Sequence, residues 1–363
     1  MAICDPIDFR RRIDAFPRTS MIVAPTAFYR LDNLTRVLGG PEIFIKRDDL
    51  TGLAFGGNKS RKLEFIIADV LRQGADAVVT WGSIQSNWCL QTAVAARRCG
   101  LRPVLILFKS DDAPPVYDGN LLLDVIVESD IRIRKAEKGK VVKREMVEEE
   151  VAAVVSELRS QGHKPYVAPL GGSAVGGSMH MPLGAIGYAS AYAELLEQAT
   201  AAGVGVDCVI HSSGSGSTQA GLAVGAKALS DGTRVLGISV SDERASFGPE
   251  VLQIARDTAQ ALRLDFLITP EDIIVFDEYI GPGYGIVDQT VSEAVRFVAK
   301  TEGIFLDPVY TGKAMCALLD LARRGYFRKG ERVVFFHTGG TAALFPYKTE
   351  LSGFLSRAAE SRG

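Results

Sequence analysis

Five short apolar runs, each followed by a segment with helical spacing, restrict this chain more than any other feature. They are DAVVT at 76–80, PVLILF at 103–108, DCVIHS at 207–212, RVLGISV at 234–240 and RVVFFH at 332–337. Continuous Val/Ile runs, as opposed to apolar–polar alternation, read as parallel strands covered on both faces. The intervening segments carry helical stripes. Over 146–158, Val147, Val151, Val154, Val155 and Leu158 form one stripe that stops before Gly162. Leu63, Ile66, Ile67, Val70 and Leu71 follow i, i+3, i+4, i+7, i+8 spacing. The pattern predicts an α/β chain with no internal repeat or low-complexity linker. Ligands in such sheets sit beyond the carboxyl ends of strands, beside helix N-termini.

The length of 363 residues suits two domains or one large one. The formal net charge of −2 gives no electrostatic case for nucleic acid. The densest charged stretch, KAEKGKVVKREMVEEE, mixes both signs and reads as a solvated helix face. The N-terminus has no apolar core of signal-peptide length, and no run approaches the ~18 apolar residues of a membrane span. Cys4, Cys89, Cys99, Cys208 and Cys316 are scattered without a Cys-x-x-Cys pair, as expected of reduced thiols in a cytoplasmic protein. The four histidines are far apart, so no metal site is expected.

Three strand-to-helix turns carry chemistry. In TWGSIQSNWCLQTAVAA (80–96), Gly82, Ser83, Gln85, Ser86 and Asn87 precede an apolar helix. Free N–H groups with Ser and Asn side chains suit a carboxylate; plain N-capping by Ser86 or Asn87 is the other reading. In VIHSSGSGSTQAGLAVGAKAL (209–229), Ser212 to Thr218 supply hydroxyls and N–H groups at a helix start. This is a phosphate cradle. It has neither the Gly-Lys-Ser/Thr of a Walker loop nor the third glycine of a dinucleotide fingerprint. FFHTGGTAALF (335–345) places Thr338, Gly339 and Gly340 after a strand, as a ligand-facing or a close-packed turn. Tyr284 lies between glycines in GPGYGI, and Tyr310 directly precedes a helix. Tyrosines in such loops serve as proton donors or stacking surfaces.

GLAFGGNKSRKLEF (52–65) sets Lys59 where a glycine turn meets a helix start. That lysine could be a surface residue or a phosphate ligand of a kinase-like loop. Taken with the phosphate cradle, the carboxylate-sized turn and the tyrosines, it suits a Schiff base to a phosphorylated aldehyde. Pyridoxal phosphate meets that description.

Six stretches, KRDDLTGLAFGGNKSRKLEF, GSIQSNWCLQTA, GSGSTQAG, PGYG, TEGIFLDPVYTGKAM and HTGGTAALF, occur in the order found in one family. Over about 16–347 the chain resembles the D-cysteine desulfhydrase and 1-aminocyclopropane-1-carboxylate deaminase family. These are fold type II pyridoxal phosphate enzymes, similar to the tryptophan synthase β subunit. The resemblance implies two three-layer α/β domains with largely parallel sheets and the cofactor between them. The larger would combine 1–60 with 171–363, and the smaller would span 61–170. Family members are usually homodimers acting on a small amino acid.

Carried over by motif, Lys59 is the Schiff-base lysine and Asn58 lies beside the cofactor's phenolic oxygen. Ser215, Gly216, Ser217 and Thr218 hold the phosphate. Gln85, Ser86, Asn87 and Trp88 lie at the substrate. Tyr284, Tyr310 and Ser86 flank the reacting centre, Thr311 sits at the ring nitrogen, and Thr338 also binds the cofactor. Ring-opening members have Glu in place of Thr311 and Leu in place of Thr338. A neutral hydroxyl suffices where a good β leaving group departs, which favours elimination over cyclopropane opening. A 1-aminocyclopropane-1-carboxylate deaminase, an L-cysteate sulfo-lyase or a related member acting on another small amino acid is the alternative. The chain departs from the pattern at Trp88, usually His or Gln, and at Leu90, often Arg. Trp81 is bulky for its place, and extra residues, among them His180, precede PLGAIGY.

Overall fold

The computed structural model describes residues 3–111, 113–230 and 232–353. In chain order the strands are Phe28–Arg30 (β1), Glu42–Lys46 (β2), Ala77–Ser83 (β3), Arg102–Lys109 (β4), Asp130–Lys135 (β5), Pro165–Val167 (β6), Cys208–Ser213 (β7), Arg234–Ser239 (β8), Ile274–Phe276 (β9) and Arg332–Phe336 (β10). The α-helices are Pro6–Asp14 (α1), Asp32–Leu38 (α2), Asn58–Arg72 (α3), Asn87–Arg98 (α4), Gly119–Ile126 (α5), Glu148–Ser160 (α6), Leu183–Ala201 (α7), Ser217–Leu229 (α8), Arg244–Ala261 (α9), Gln289–Glu302 (α10) and Thr311–Arg323 (α11).

All five apolar runs are strands, and they fall into two sheets. The six-stranded sheet has the order β1-β2-β10-β7-β8-β9, and the four-stranded sheet has the order β5-β4-β3-β6. Only β1 is antiparallel to its neighbour. Strand β10 pairs in parallel with β2 on one side and β7 on the other, Val334 meeting Phe44 and Val209. Alternate side chains of the large sheet enter two cores, as a period of two requires. Phe44, Val209, Val334 and Phe336 join the core of α3, α7 and α8. Ile43, Ile45, Ile210, Val333 and Phe335 join that of α10 and α11.

A buried ionic network anchors the start of α3. The Arg61 guanidinium donates to Asp48 Oδ2 at 2.8 Å and to Glu194 Oε1 at 2.8 Å, and Tyr188 Oη donates to Asp48 Oδ2 at 2.7 Å. Arg61 and Asp48 are buried, so each charge depends on the other. The network ties α3 to the turn after β2 and to α7, two residues beyond Lys59. The boundary expected at 60/61 therefore falls inside a helix.

The extra residues before PLGAIGY fold back onto β6. Gly176 bridges Met179, and the Ser178 N–H donates to Val167 O at 3.1 Å. His180 is exposed at the end of this turn. Trp81 is buried in the core between the small sheet and α6. Among the described residues no helix is long and apolar enough to cross a membrane.

Candidate active site

One cleft opens where strands of both sheets end and α3, α4, α8 and α11 begin. Lys59 stands on its floor. Asn58, Gln85, Ser86, Asn87 and Trp88 line it, with Ser215, Gly216 and Thr218 opposite and Tyr284, Tyr310 and Thr338 completing the wall. Ser217 and Thr311 are not among the lining residues; each stands directly behind the wall, for reasons given below.

The Lys59 turn needs glycine. Gly57 has φ 134° and forms an antiparallel bridge to Gly339, whose φ is 93°. A Cβ on Gly339 would lie 2.6 Å from Gly57 Cα. The Asn58 N–H donates to Thr338 O at 2.9 Å, and Thr51 Oγ1 accepts from the Gly57 N–H at 2.8 Å. Lys59 Nζ donates to Asn58 Oδ1 at 3.1 Å, and Asn58 Nδ2 donates to Thr218 Oγ1 at 3.1 Å. Burial depresses the Lys59 pKa to about 8, against the upward pull of Asp307. Roughly a tenth of this amine is therefore neutral at pH 7, far more than for an ordinary lysine, and the neutral form is what a nucleophile or base requires.

At the start of α8, Ser215 Oγ accepts from Ser173 Oγ at 2.7 Å, and Ser173 Oγ lies 2.9 Å from Ser217 Oγ. Ser217 faces inward because Lys62 Nζ donates to it at 2.8 Å and to Gly171 O at 3.3 Å. Burial, reinforced by Lys59, drives the Lys62 pKa well down. His211 Nε2 and Ser213 Oγ, on the adjacent strand β7, are buried without a hydrogen-bond partner among the described residues. A buried lysine amine that donates to a hydroxyl and a carbonyl, behind hydroxyls at a helix N-terminus, forms a donor set suited to an anion, whose charge would favour the protonated amine. A phosphate fits it.

The turn before α4 divides its labour. Ser86 caps the helix, its Oγ accepting from the Cys89 N–H at 3.2 Å. The Gln85 side chain is a strut: its Nε2 donates to Asp118 O at 3.0 Å and its Oε1 accepts from the Asn120 N–H at 2.8 Å. Asn120 Nδ2 donates in turn to Asn87 Oδ1 at 2.7 Å. The α4 N-terminus with Ser86 and Asn87 thus remains for an anion, and Gln85 supports it. Trp88 Nε1 donates to Thr80 Oγ1 at 2.7 Å, so its indole offers the cleft an apolar face and no free donor.

Across the cleft, Tyr284 Oη and Tyr310 Oη are 2.6 Å apart, and Ser83 Oγ is 3.3 Å from Tyr284 Oη. Burial raises both tyrosine pKa values; the bonds from Ser83 and Tyr310 hold the Tyr284 value down, whereas Tyr284 pushes that of Tyr310 further up. The Thr311 hydroxyl is engaged locally, with Asp307. It donates to Asp307 Oδ1 at 2.7 Å and accepts from the Asp307 N–H at 2.8 Å. Asp307 also accepts from the N–H groups of Val309, Tyr310 and Thr311, which begins α11. The hydroxyl that lines the cleft is that of Thr338, 3.0 Å from Ser212 Oγ.

Sequence reasoning passed over Lys62, Ser173 and Asp307. Lys62 was legible: it lies three residues after Lys59, on the same helix face. Ser173 gave no local signal, because only the fold brings it to Ser215.

The comparisons with known proteins agree with this geometry. A family model described as pyridoxal-phosphate dependent enzyme matches residues 19–339. The chain is 38% identical over 348 residues to a D-cysteine desulfhydrase of Serratia proteamaculans (strain 568), covering 95% of this chain and 100% of the relative. It is 39% identical over 335 residues to one of Salmonella typhi, covering 92% and 96%. A crystal structure described as an ACC deaminase homologue superposes with a TM-score of 0.85 at 35% identity, covering 95% of this chain and 98% of that one.

Proposed function

This chain belongs to the pyridoxal-phosphate dependent enzyme family, and we propose that it removes a leaving group from the β-carbon of a small amino acid, as a D-cysteine desulfhydrase-like lyase. The products are pyruvate, ammonia and the released group. The observation that carries this reading is the neutral inner wall. The carboxylates lining the cleft, Asp111 and Glu137, belong to the outer loops, and the inner wall offers the hydroxyls of Ser212 and Thr338. A cofactor ring without a carboxylate at its nitrogen is a moderate electron sink, sufficient when a thiol or sulfite departs.

When bound, pyridoxal phosphate supplies the sink for the electron pair left as the substrate's α-proton is removed. The α8 N-terminus with Ser215, Gly216 and Thr218 would hold its phosphate. Ser217, Ser173 and Lys62 support that cradle from behind, Lys62 with a charge that balances the anion. Lys59 would carry the aldehyde, with Asn58 beside it. Once free, Lys59 Nζ takes the α-proton, its depressed pKa fitting it to act as a base near neutrality. Ser86, Asn87 and the first N–H groups of α4 orient the substrate carboxylate. Tyr284 Oη, recharged by Tyr310, gives a proton to the departing group. The Trp88 ring excludes water from one side of the site.

The four-stranded sheet and its helices act as the smaller domain, over 61–170, and the rest as the larger. A cytoplasmic homodimer is the expected setting. The test is an amino-acid panel assayed for 2-keto acid, ammonia, sulfide and sulfite. D-Cysteine and β-chloroalanine should yield pyruvate. 2-Oxobutyrate from 1-aminocyclopropane-1-carboxylate, with no pyruvate from the other two, would overturn the proposal.

A further inference from the structure

Lys313 is the third residue of α11, the helix that begins directly after Tyr310. Its Nζ donates to Ile280 O at 2.6 Å, Gly283 O at 2.8 Å and Val240 O at 3.4 Å. Ile280 and Gly283 belong to the loop that carries Tyr284, and Val240 follows β8. The residue is fully buried. Two physical arguments stand against a lysine at this position. The first turn of a helix is the positive end of its dipole, where a cation is disfavoured. Burial opposes the charge as well and brings the pKa down to about 8, despite Asp288 at the start of α10 and Asp307 just before α11; the neighbouring Cys316 on the same helix is a buried thiol whose own pKa burial pushes up to about 12. A residue that breaks a local rule twice has a compensating role.

That role is legible in the ligands. All three hydrogen bonds go to neutral backbone carbonyls, from two segments without regular structure, converging on one positive point. Such a set of oxygens is what a small monovalent cation requires. The loop between β9 and α10 has few other ties near Tyr284; the Tyr284 N–H donates to Gly139 O at 2.8 Å, across the cleft mouth on the small-sheet side. Lys313 therefore joins the backbone around Tyr284 to the helix headed by Tyr310.

We propose that Lys313 is a positioning residue that acts as a tethered monovalent cation, filling a carbonyl-lined site and holding Tyr284 in register with Tyr310. Its consequence for turnover rests on the lyase reading above; the cation site does not. The enzyme carries its own cation and needs none from solution.

The test uses the cofactor-loaded enzyme and the variants Lys313→Ala and Lys313→Met. Turnover and melting temperature are compared in potassium, ammonium and tetramethylammonium chloride at equal ionic strength. The wild type should be indifferent to the cation. Lys313→Ala should lose about ten- to hundredfold in turnover in tetramethylammonium chloride, the scale of a hydrogen bond to a charged group. Potassium or ammonium, which fit the vacated space, should restore most of that loss and raise its melting temperature. Lys313→Met, whose side chain fills the space, should not recover. If Lys313→Ala does not fold in tetramethylammonium chloride, its refolding yield in the two salts gives the same comparison. Full activity of Lys313→Ala without small cations, no recovery with them, or equal recovery of Lys313→Met would overturn the proposal. Melting and refolding need no substrate, so a cation response in a protein without lyase activity would sink the lyase reading alone.

Discussion

The hydroxyls of Tyr284 and Tyr310 lie 2.6 Å apart across 26 residues of sequence, with Ser83 Oγ at 3.3 Å on the far side of Tyr284. Tyr284 shares hydrogen bonds with both neighbours, and these offset part of the rise that burial imposes on its pKa. Tyr284 is therefore the member that ionises more readily, and Tyr310 its proton source. Replacing Tyr284 or Tyr310 by Phe should lower kcat by about 10²–10⁴-fold, the usual range for a lost acid–base group. The double variant should be little worse than either single one, because the pair works as a unit. Ser83→Ala should retain most activity and move the basic limb of the kcat–pH profile upward, since one bond holding the Tyr284 pKa down is gone. An unmoved limb would show that Ser83 plays no part.

Lys62 places a buried amine behind the proposed phosphate cradle, bonded to Ser217 Oγ and Gly171 O, where a bound phosphate would favour its charged form. Lys62→Met should weaken pyridoxal phosphate binding by about ten- to hundredfold, from the loss of one charge at partly screened range. Ser217→Ala should follow in the same direction and by less. Titration of the stripped protein by cofactor fluorescence reads both. Equal affinity in Lys62→Met and wild type would place the phosphate elsewhere.

In protein stripped of cofactor, Lys59 should titrate near pH 8. Its folded value lies below the unfolded 10.5, so the unfolded chain binds more protons between the two. Lys59 therefore destabilises the stripped fold most below about pH 8, and its contribution improves as pH rises from 8 towards 10.5. Acylation of Lys59, followed by peptide mapping, should accelerate through pH 8. Acceleration only near pH 10 would contradict the burial argument.

The Arg61–Asp48 pair anchors α3 two residues beyond Lys59. Arg61→Ala leaves Asp48 as a buried, uncompensated charge and should cost about 3–5 kcal/mol of stability. Thermal melting should show this loss, and cofactor affinity should fall with it.

Much of this architecture could be read from the chain before the structure. The five Val/Ile runs became the inner strands because nothing in them tolerates water on either face. Strands β1, β6 and β9 have three residues each, too few for a pattern, and β5 (DIRIRK) alternates charge and apolar residues as an edge strand does. The glycine turn at Lys59 and the Ser/Gly turn before α8 were legible because backbone geometry restricts residue type there. The details that differ are those of side-chain commitment. Gln85 braces α5 and Ser217 takes a bond from Lys62, partners that only tertiary packing fixes. Thr311 instead turns to Asp307, four residues before it at the same helix start, a local contact.

Lys59 is the proposed carrier of pyridoxal phosphate, at the meeting point of the cradle and the tyrosine pair. The most direct measurement is borohydride reduction of the purified enzyme, followed by proteolysis and mass spectrometry of the labelled peptide. Reduction should abolish the long-wavelength absorbance band and leave a single pyridoxyl label, on Lys59. A protein without that band, or a label on Lys46, Lys62, Lys227 or Lys313, would contradict this assignment.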